Sequence, residues 1–493
     1  MAGTTDSFAR ERVEGRAVRG AAWSGVNSVL MKFGNLAIMA VVVRLVSPHD
    51  FGVFAVAVVV HAVVSSFGEL GLSSCISRRD LDPERVGPTV ALLALLSSFA
   101  LAVTTAVAAE PLALALGSAE AADPIRVLSI SIFLGGVFTV PGALLVREFR
   151  QGKVLMASAV AFVPMNGLLI LLASNGDGAM AFAWSRIVGQ LISGLVMVAS
   201  VRQYYWPRLA VREVRPLLRF GLPLAGANLL TYVLLNADYA IIARTLGTEQ
   251  LGIYMLAFTV ASWPTSVLAS TINGVAMPAF SSADTDKARL TDMLKGSARM
   301  VALLAFPIGM LCLVLATPLI VVVYGERWVT AAPVLSALAV YGALFSISLL
   351  LSNLLVGIGR SGAVFIIQGV SILVLVPGVV WGVSLFGLVG AAYAHIAVIL
   401  MVLGMFLLAL RKSLLSGHRV LFSALWGPLA ASLCGGLATA ASAGFFSEPL
   451  VRLAVGGVTG LLAYAAVASP MLWSFLPQTM KLRLRRRHGI ERG

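Results

Sequence analysis

Charge is scarce in this 493-residue chain: Asp, Glu, Lys and Arg together make up 12% of it, against about 25% in an ordinary soluble domain. So few ionic groups cannot hydrate a globular surface of that size. Histidine occurs five times and cysteine three times. Cys75, Cys312 and Cys434 are scattered and odd in number, which excludes a disulfide framework, and no His, Cys or carboxylate spacing matches a metal site. The chain also lacks a Walker-type glycine loop and a nucleophile elbow, so nothing in it points to ATP hydrolysis or acyl chemistry, and no cofactor is expected. Basic residues outnumber acidic ones, 36 to 22, for a net charge of +14. Nucleic acid binding would gather those cations on one solvated face. Here they lie in short gaps between apolar runs, so nucleic acid is not an expected partner.

What the chain has in excess is apolar residues, 59% of it, with a mean hydropathy of +0.94. A membrane-spanning helix needs about 20 mainly apolar residues, and runs of that kind fall at 20–43, 51–73, 88–109, 125–146, 154–173, 178–200, 219–243, 251–273, 297–323, 331–356, 361–383, 387–410, 421–443 and 451–473. The fold class is therefore an all-α polytopic membrane protein of about 14 transmembrane helices. The first run is too long for a secretory signal and is read as a retained span. With the N-terminus inside, most basic residues fall in cytoplasmic segments, from Arg10, Arg12, Arg16 and Arg19 to the tail "KLRLRRRHGIERG", whereas Arg44, Arg126, Arg244, Arg327 and Arg452 fall outside. That bias predicts a multi-pass membrane protein with both termini cytoplasmic. The basic tail reads as a topology signal with attraction to anionic membrane lipids. The longest outer loop, roughly residues 110–124, leaves no room for an external catalytic domain.

A motif recurs. "RLVSPHDFGVFAVA", Arg44 to Ala57, is nearly repeated by "RTLGTEQLGIYMLA", Arg244 to Ala257. The offset of 200 pairs the first span with the seventh and the second with the eighth. At a slightly larger offset, Val127-Leu128-Ser129 pairs with Val334-Leu335-Ser336, opening spans four and ten. Each repeat thus holds six spans. Six is even, so both halves face the same way across the membrane, and such parallel repeats place substrate sites near the bilayer midplane between them. The predicted organisation is a cytoplasmic N-terminal tail at 1–19, an N-lobe at 20–200, a linker at 201–218, a C-lobe at 219–410, spans thirteen and fourteen at 421–473, and a basic tail at 477–493.

Polar side chains within the spans belong on a cavity, because hydrocarbon is costly for them. Ser24, Ser28, Lys32 and Asn35, with Asn27 alongside, form one stripe on span one, and Asn228, Tyr232 and Tyr239 form another on span seven. The charges deepest in the spans are Lys32, Glu69, Arg186 and Asp238. Candidate substrate-binding residues are Lys32, Asn27, Asn35, Asn228, Tyr232 and Arg186, with Arg186 also able to snorkel outward. Glu69 and Asp238 are candidates for ion coupling or for a structural ion pair. His61 and His395, alone in apolar runs, read as packed or hydrogen-bonded side chains.

The two turn motifs, together with "YGERWVTAAPVLSALAVYGALFSI" from Tyr324 to Ile347 and "GELGLSSCISRRDLDPER" from Gly68 to Arg85, resemble the Wzx-like polysaccharide flippases of the multidrug/oligosaccharidyl-lipid/polysaccharide exporter superfamily. The resemblance runs from about Gly20 to Leu410. It implies two pseudo-symmetric six-helix lobes around a central cavity, plus two C-terminal helices that can form a groove for a lipid tail. It also implies alternating access and the transfer of an undecaprenyl-pyrophosphate-linked oligosaccharide from the cytoplasmic to the outer leaflet. A lipid-linked oligosaccharide is then the expected partner, with a polysaccharide polymerase and export machinery beside it. In relatives of this kind basic residues on the first helices hold the pyrophosphate, and Lys32 best fits that role. The rival reading is a drug/cation antiporter of the same superfamily, which would rely on acidic residues such as Asp238 and Glu69. A membrane glycan polymerase or ligase would need an outer loop that the sequence lacks, so an enzyme is not expected.

Overall fold

The computed structural model describes residues 31, 34–68, 71–77, 82–281, 287–411, 413 and 417–475. Every regular element among them is helical. The chain divides into two compact units, Met1–Met255 and Leu256–Gly493. The first holds α1 (Gly34–Leu45), α2 (Pro48–Gly68), the short α3 (Leu72–Ser77), α4 (Pro83–Val107), α5 (Ala109–Ala115), α6 (Ala122–Arg147), α7 (Gln151–Ser174), α8 (Gly178–Ser200), α9 (Val211–Leu235), α10 (Ala237–Leu246) and the start of α11 (Thr248–Ser281). The second holds the rest of α11, then α12 (Lys287–Val314), α13 (Ala316–Tyr324), α14 (Ala332–Gly357), α15 (Ser361–Leu410), α16 (Gly417–Ala443) and α17 (Pro449–Phe475).

Ten of these helices are long and apolar enough to cross a membrane, or eleven if α9 and α10 are one broken span. Their sequences are apolar on most faces, as expected where lipid replaces water around the bundle. Local chemistry sets where they begin. Ser47 accepts a hydrogen bond from the Asp50 amide at 3.1 Å and donates to the Asp50 carboxylate at 2.6 Å. With Pro48 in the first helical position, this is a capped start for α2. Asp82 caps α4 in the same manner by accepting from the Glu84 amide at 3.0 Å, ahead of Pro83. Prolines lie inside several helices, among them Pro141 of α6, Pro164 of α7, Pro223 of α9, Pro307 of α12 and Pro377 of α15.

α15 is 50 residues long, about 75 Å if straight, far more than the ~30 Å of a hydrocarbon core. It breaks at Gly387, whose φ of 59° is open to glycine at little cost. The two arms return on each other so closely that a Cβ on Gly382 would meet the Gly390 carbonyl, and one on Gly390 would meet the Gly382 carbonyl. The break falls where the sequence separates spans eleven and twelve.

The recurring motif explains itself in the packing of the first unit. Gly52, in the first turns of α2, lies against the start of α11: a Cβ there would collide with the backbone carbonyl of Thr248. Gly252 does the reciprocal thing, and a Cβ on it would collide with the carbonyl of Pro48. Pro48 and Thr248, like Gly52 and Gly252, are 200 residues apart. The contact is therefore one surface meeting its own repeat, as in an isologous interface. The apolar residues around the glycines, Phe51, Val53, Leu251, Ile253 and Tyr254, are buried. Small residues let two membrane helices approach to backbone contact where no hydrophobic effect drives them together.

In the first unit α6 packs on α4, α2 and α8, and α7 pairs with α8. In the second, α12 packs on α14 and α16, and α16 pairs with α17. The Tyr464 hydroxyl ties α17 to α12 by donating to the Leu303 carbonyl at 2.6 Å.

Candidate functional site

Two helices of the first unit each carry polar residues one turn apart on one face, His61 and Ser65 on α2 and Arg186 and Gln190 on α8, and α6 carries Ser131 with Gly135 one turn on. Packing α2, α6 and α8 together brings these residues to one place. They line a cavity of about 500 Å³, closed by Met165 of α7. A second space of about 450 Å³ adjoins it, sharing Gly135 and Gln190 and continuing past Thr139 and Ser193 to Ser73 and Ser74. A polar crevice thus runs along α6 and α8.

Its hydrogen bonds have a definite sense. Gln190 Nε2 donates to the Ser131 carbonyl at 3.0 Å, which leaves Oε1 to accept the Ser131 hydroxyl proton. With that proton spent, Ser131 Oγ can only accept from His61 Nε2, 3.1 Å away, so the network assigns the Nε2–H tautomer to His61. Ser65 Oγ lies 3.3 Å from the same nitrogen. The capacity left over is mostly for donating: the guanidinium of Arg186, one N–H of Gln190 and the hydroxyl of Ser65. Among the described residues, no carboxylate lines the cavity. Arg186 is the ninth residue of α8, about 12 Å along its axis. Its side chain is exposed, and it lines the crevice. A cation at that depth costs about 2.5–3.5 kcal/mol on insertion scales, so a wet cavity or an anionic occupant has to offset it.

In the second unit the counterparts of α2 and α6 line a different space, against α12. At the sequence offsets, His61 corresponds to Ala261, Ser65 to Thr265, Ser131 to Leu338, Gly135 to Gly342 and Thr139 to Ser346. Ala261, Thr265, Gly342 and Ser346 line a space of only about 10 Å³ together with Pro264 and Cys312, room for about one water. His395 of this unit packs edge-on against Tyr341 and Phe258 and contacts the Ala391 carbonyl at 2.9 Å. Both histidines are packed and hydrogen-bonded, as read from the sequence, but only His61 belongs to a polar crevice.

The other sequence candidates distribute as follows. Lys32, Asn27 and Glu69 lie outside the described residues. Asn35, Asn228 and Tyr232 are exposed, and none of the three lines the Arg186 crevice. Asp238, in the first turn of α10, is buried and accepts a hydrogen bond from the Tyr254 hydroxyl at 3.0 Å. Tyr254 in turn packs edge-on against Tyr239. At the same end, His49 contacts Glu120 at 2.7 Å and Thr248 at 3.0 Å, and Arg244 donates to the Ala115 carbonyl at 2.6 Å. Sequence reading missed the Ser131–Gln190 pair. The signal available was polar residues four apart on two spans, with Ser131 on a third.

A family model described as polysaccharide biosynthesis protein matches residues 41–333. The chain is similar to the succinoglycan biosynthesis transport protein ExoT of Rhizobium meliloti (strain 1021), 30% identical over 348 residues, which cover 69% of each chain. It is also similar to the lipopolysaccharide biosynthesis protein WzxC of Escherichia coli (strain K12), 25% identical over 424 residues, 85% of this chain and 86% of that one. Among solved structures, the lipid II flippase MurJ in an inward closed conformation matches with a TM-score of 0.74, covering 91% of this chain and 99% of that one at 13% identity. At that identity the likeness shows a shared fold.

Proposed function

This chain belongs to the polysaccharide biosynthesis protein family, and on that premise we propose that it is a flippase for a lipid-linked oligosaccharide. It takes an undecaprenyl-pyrophosphate-linked repeat unit from the cytoplasmic leaflet of the bacterial inner membrane to the outer leaflet by alternating access. The observation that carries the reading is the 30% identity to a succinoglycan transport protein along 69% of both chains. The exposure of Asn35, Asn228 and Tyr232 on apolar helices supports it, since such groups are costly against hydrocarbon and are suited to the hydroxyls of a glycan. Lys32 supplies the cation for the pyrophosphate, and the basic bias of the segments read as cytoplasmic supports the orientation. The product then passes to a polymerase or export machinery.

The test is mass spectrometry of undecaprenyl-linked glycans in a depletion strain. Accumulation of one lipid-linked glycan, with loss of the corresponding surface polymer, is the expected result. An unchanged lipid-linked pool and surface polymer, with sensitivity to cationic toxic compounds instead, would replace this reading with the drug/cation antiporter.

A further inference from the structure

We propose that the crevice between α2, α6, α7 and α8 is a binding site for a small inorganic anion, separate from the path of the glycan. Two observations converge. Among the described residues, the lining offers Arg186, Gln190 and Ser65 as donors and no carboxylate. The hydrogen bonds that do exist, Ser131 to Gln190 and His61 to Ser131, consume the acceptors of Gln190 and Ser131 and leave donors facing the space.

An open crevice, a cation in its lining and a fixed set of donors are what a partly dehydrated anion needs: charge compensation from Arg186 and hydrogen bonds in place of its lost waters. The occupant is of the chloride or inorganic phosphate class. Because the site lies within one unit, it does not rest on the glycan reading. Gly135 marks its floor. A Cβ on that residue would meet only Gln190 Nε2, at 3.6 Å, so a larger side chain there grows into the cavity rather than into backbone.

The experiment uses the purified full-length chain in detergent, exchanged into gluconate. Its melting temperature is followed while chloride, inorganic phosphate or a short-chain phosphatidic acid replaces gluconate at constant ionic strength. The expected result is a saturable rise with chloride or inorganic phosphate. Arg186→Gln weakens the apparent affinity at least tenfold, and Arg186→Lys largely retains it. Gly135→Val, which leaves Arg186 in place and crowds the cavity beside Gln190, weakens the apparent affinity at least tenfold and keeps the site testable should Arg186→Gln fail to fold. No saturable response to either inorganic anion would overturn the proposal. So would a response that survives in both Arg186→Gln and Gly135→Val, or one confined to phosphatidic acid, which would make the crevice a lipid headgroup site instead. Loss of anion binding with glycan transfer intact leaves the flippase reading standing; loss of glycan accumulation in the depletion strain bears on that reading alone.

Discussion

Replacing Gly52 with Ala tests whether the repeated motif is a packing device at an internal two-fold contact. The new methyl group would point at the Thr248 carbonyl, and because that oxygen belongs to the backbone no rotamer change relieves the clash. The starts of α2 and α11 must separate until carbon and oxygen regain ordinary contact, and overpacking of this kind costs about 1–3 kcal/mol. Alanine returns about 0.5–1 kcal/mol through its better helix propensity. The net loss is then ~1–2 kcal/mol, or about 2–8 °C in melting temperature for a unit of this size. The assay is thermal unfolding of the detergent-purified protein, with Gly226→Ala of α9 as the control, since nothing lies within 4 Å of a Cβ there. The control should melt at or slightly above the parent temperature. The reciprocity makes a sharper demand: once Gly52→Ala has spread the helices, Gly252→Ala has less left to disturb, so the double variant should cost less than the sum of the two. Equal behaviour of Gly52→Ala and Gly226→Ala, or strict additivity in the double variant, would refute the reciprocal contact.

Other outcomes follow from the same structure. Tyr254→Phe removes a donor from the buried Asp238 carboxylate and should cost about 1–3 kcal/mol, read as a lower melting temperature with transfer per folded molecule unchanged; loss of transfer at an unchanged melting temperature would instead assign the pair to ion coupling. Gly387→Ala puts a side chain on a residue with φ 59° and ψ −144° and should destabilise by about 1–3 kcal/mol, whereas Gly369→Ala on the same helix, open on all sides, should not. Lys32→Ala should abolish surface polymer in a complementation assay while leaving protein level intact, and unimpaired export would remove Lys32 from the site.

Much of the fold was legible because lipid imposes a simple rule: a helix that crosses it must be apolar for its whole length. The break in α15 was legible for the same reason, since residues 361–410 are too long for one crossing. The repeat was legible from Phe51-Gly52-Val53-Phe54 and Leu251-Gly252-Ile253-Tyr254, but its meaning was not. A glycine tells of a close approach only once its partner is known, and the partner here is its own repeat 200 residues away. The crevice was hidden for a related reason. His61, Ser131 and Gln190 are each unremarkable within one span, and Arg186 alone could equally have snorkelled to the surface. The tertiary packing of α2, α6 and α8 turns two short polar pairs and Ser131 into one donor-rich site, and the sequence stripes with Asn35, Asn228 and Tyr232 lie outside it.

The central claim is that this chain moves a lipid-linked glycan between leaflets. Its most direct test is the purified protein in liposomes loaded with undecaprenyl-pyrophosphate-linked oligosaccharide from the same strain, with the sugar in each leaflet read by a membrane-impermeant probe. The account predicts that glycan initially shielded from the probe becomes accessible with time in wild-type vesicles and stays shielded in Lys32→Ala vesicles. A shielded fraction that stays the same with and without the wild-type protein would contradict it.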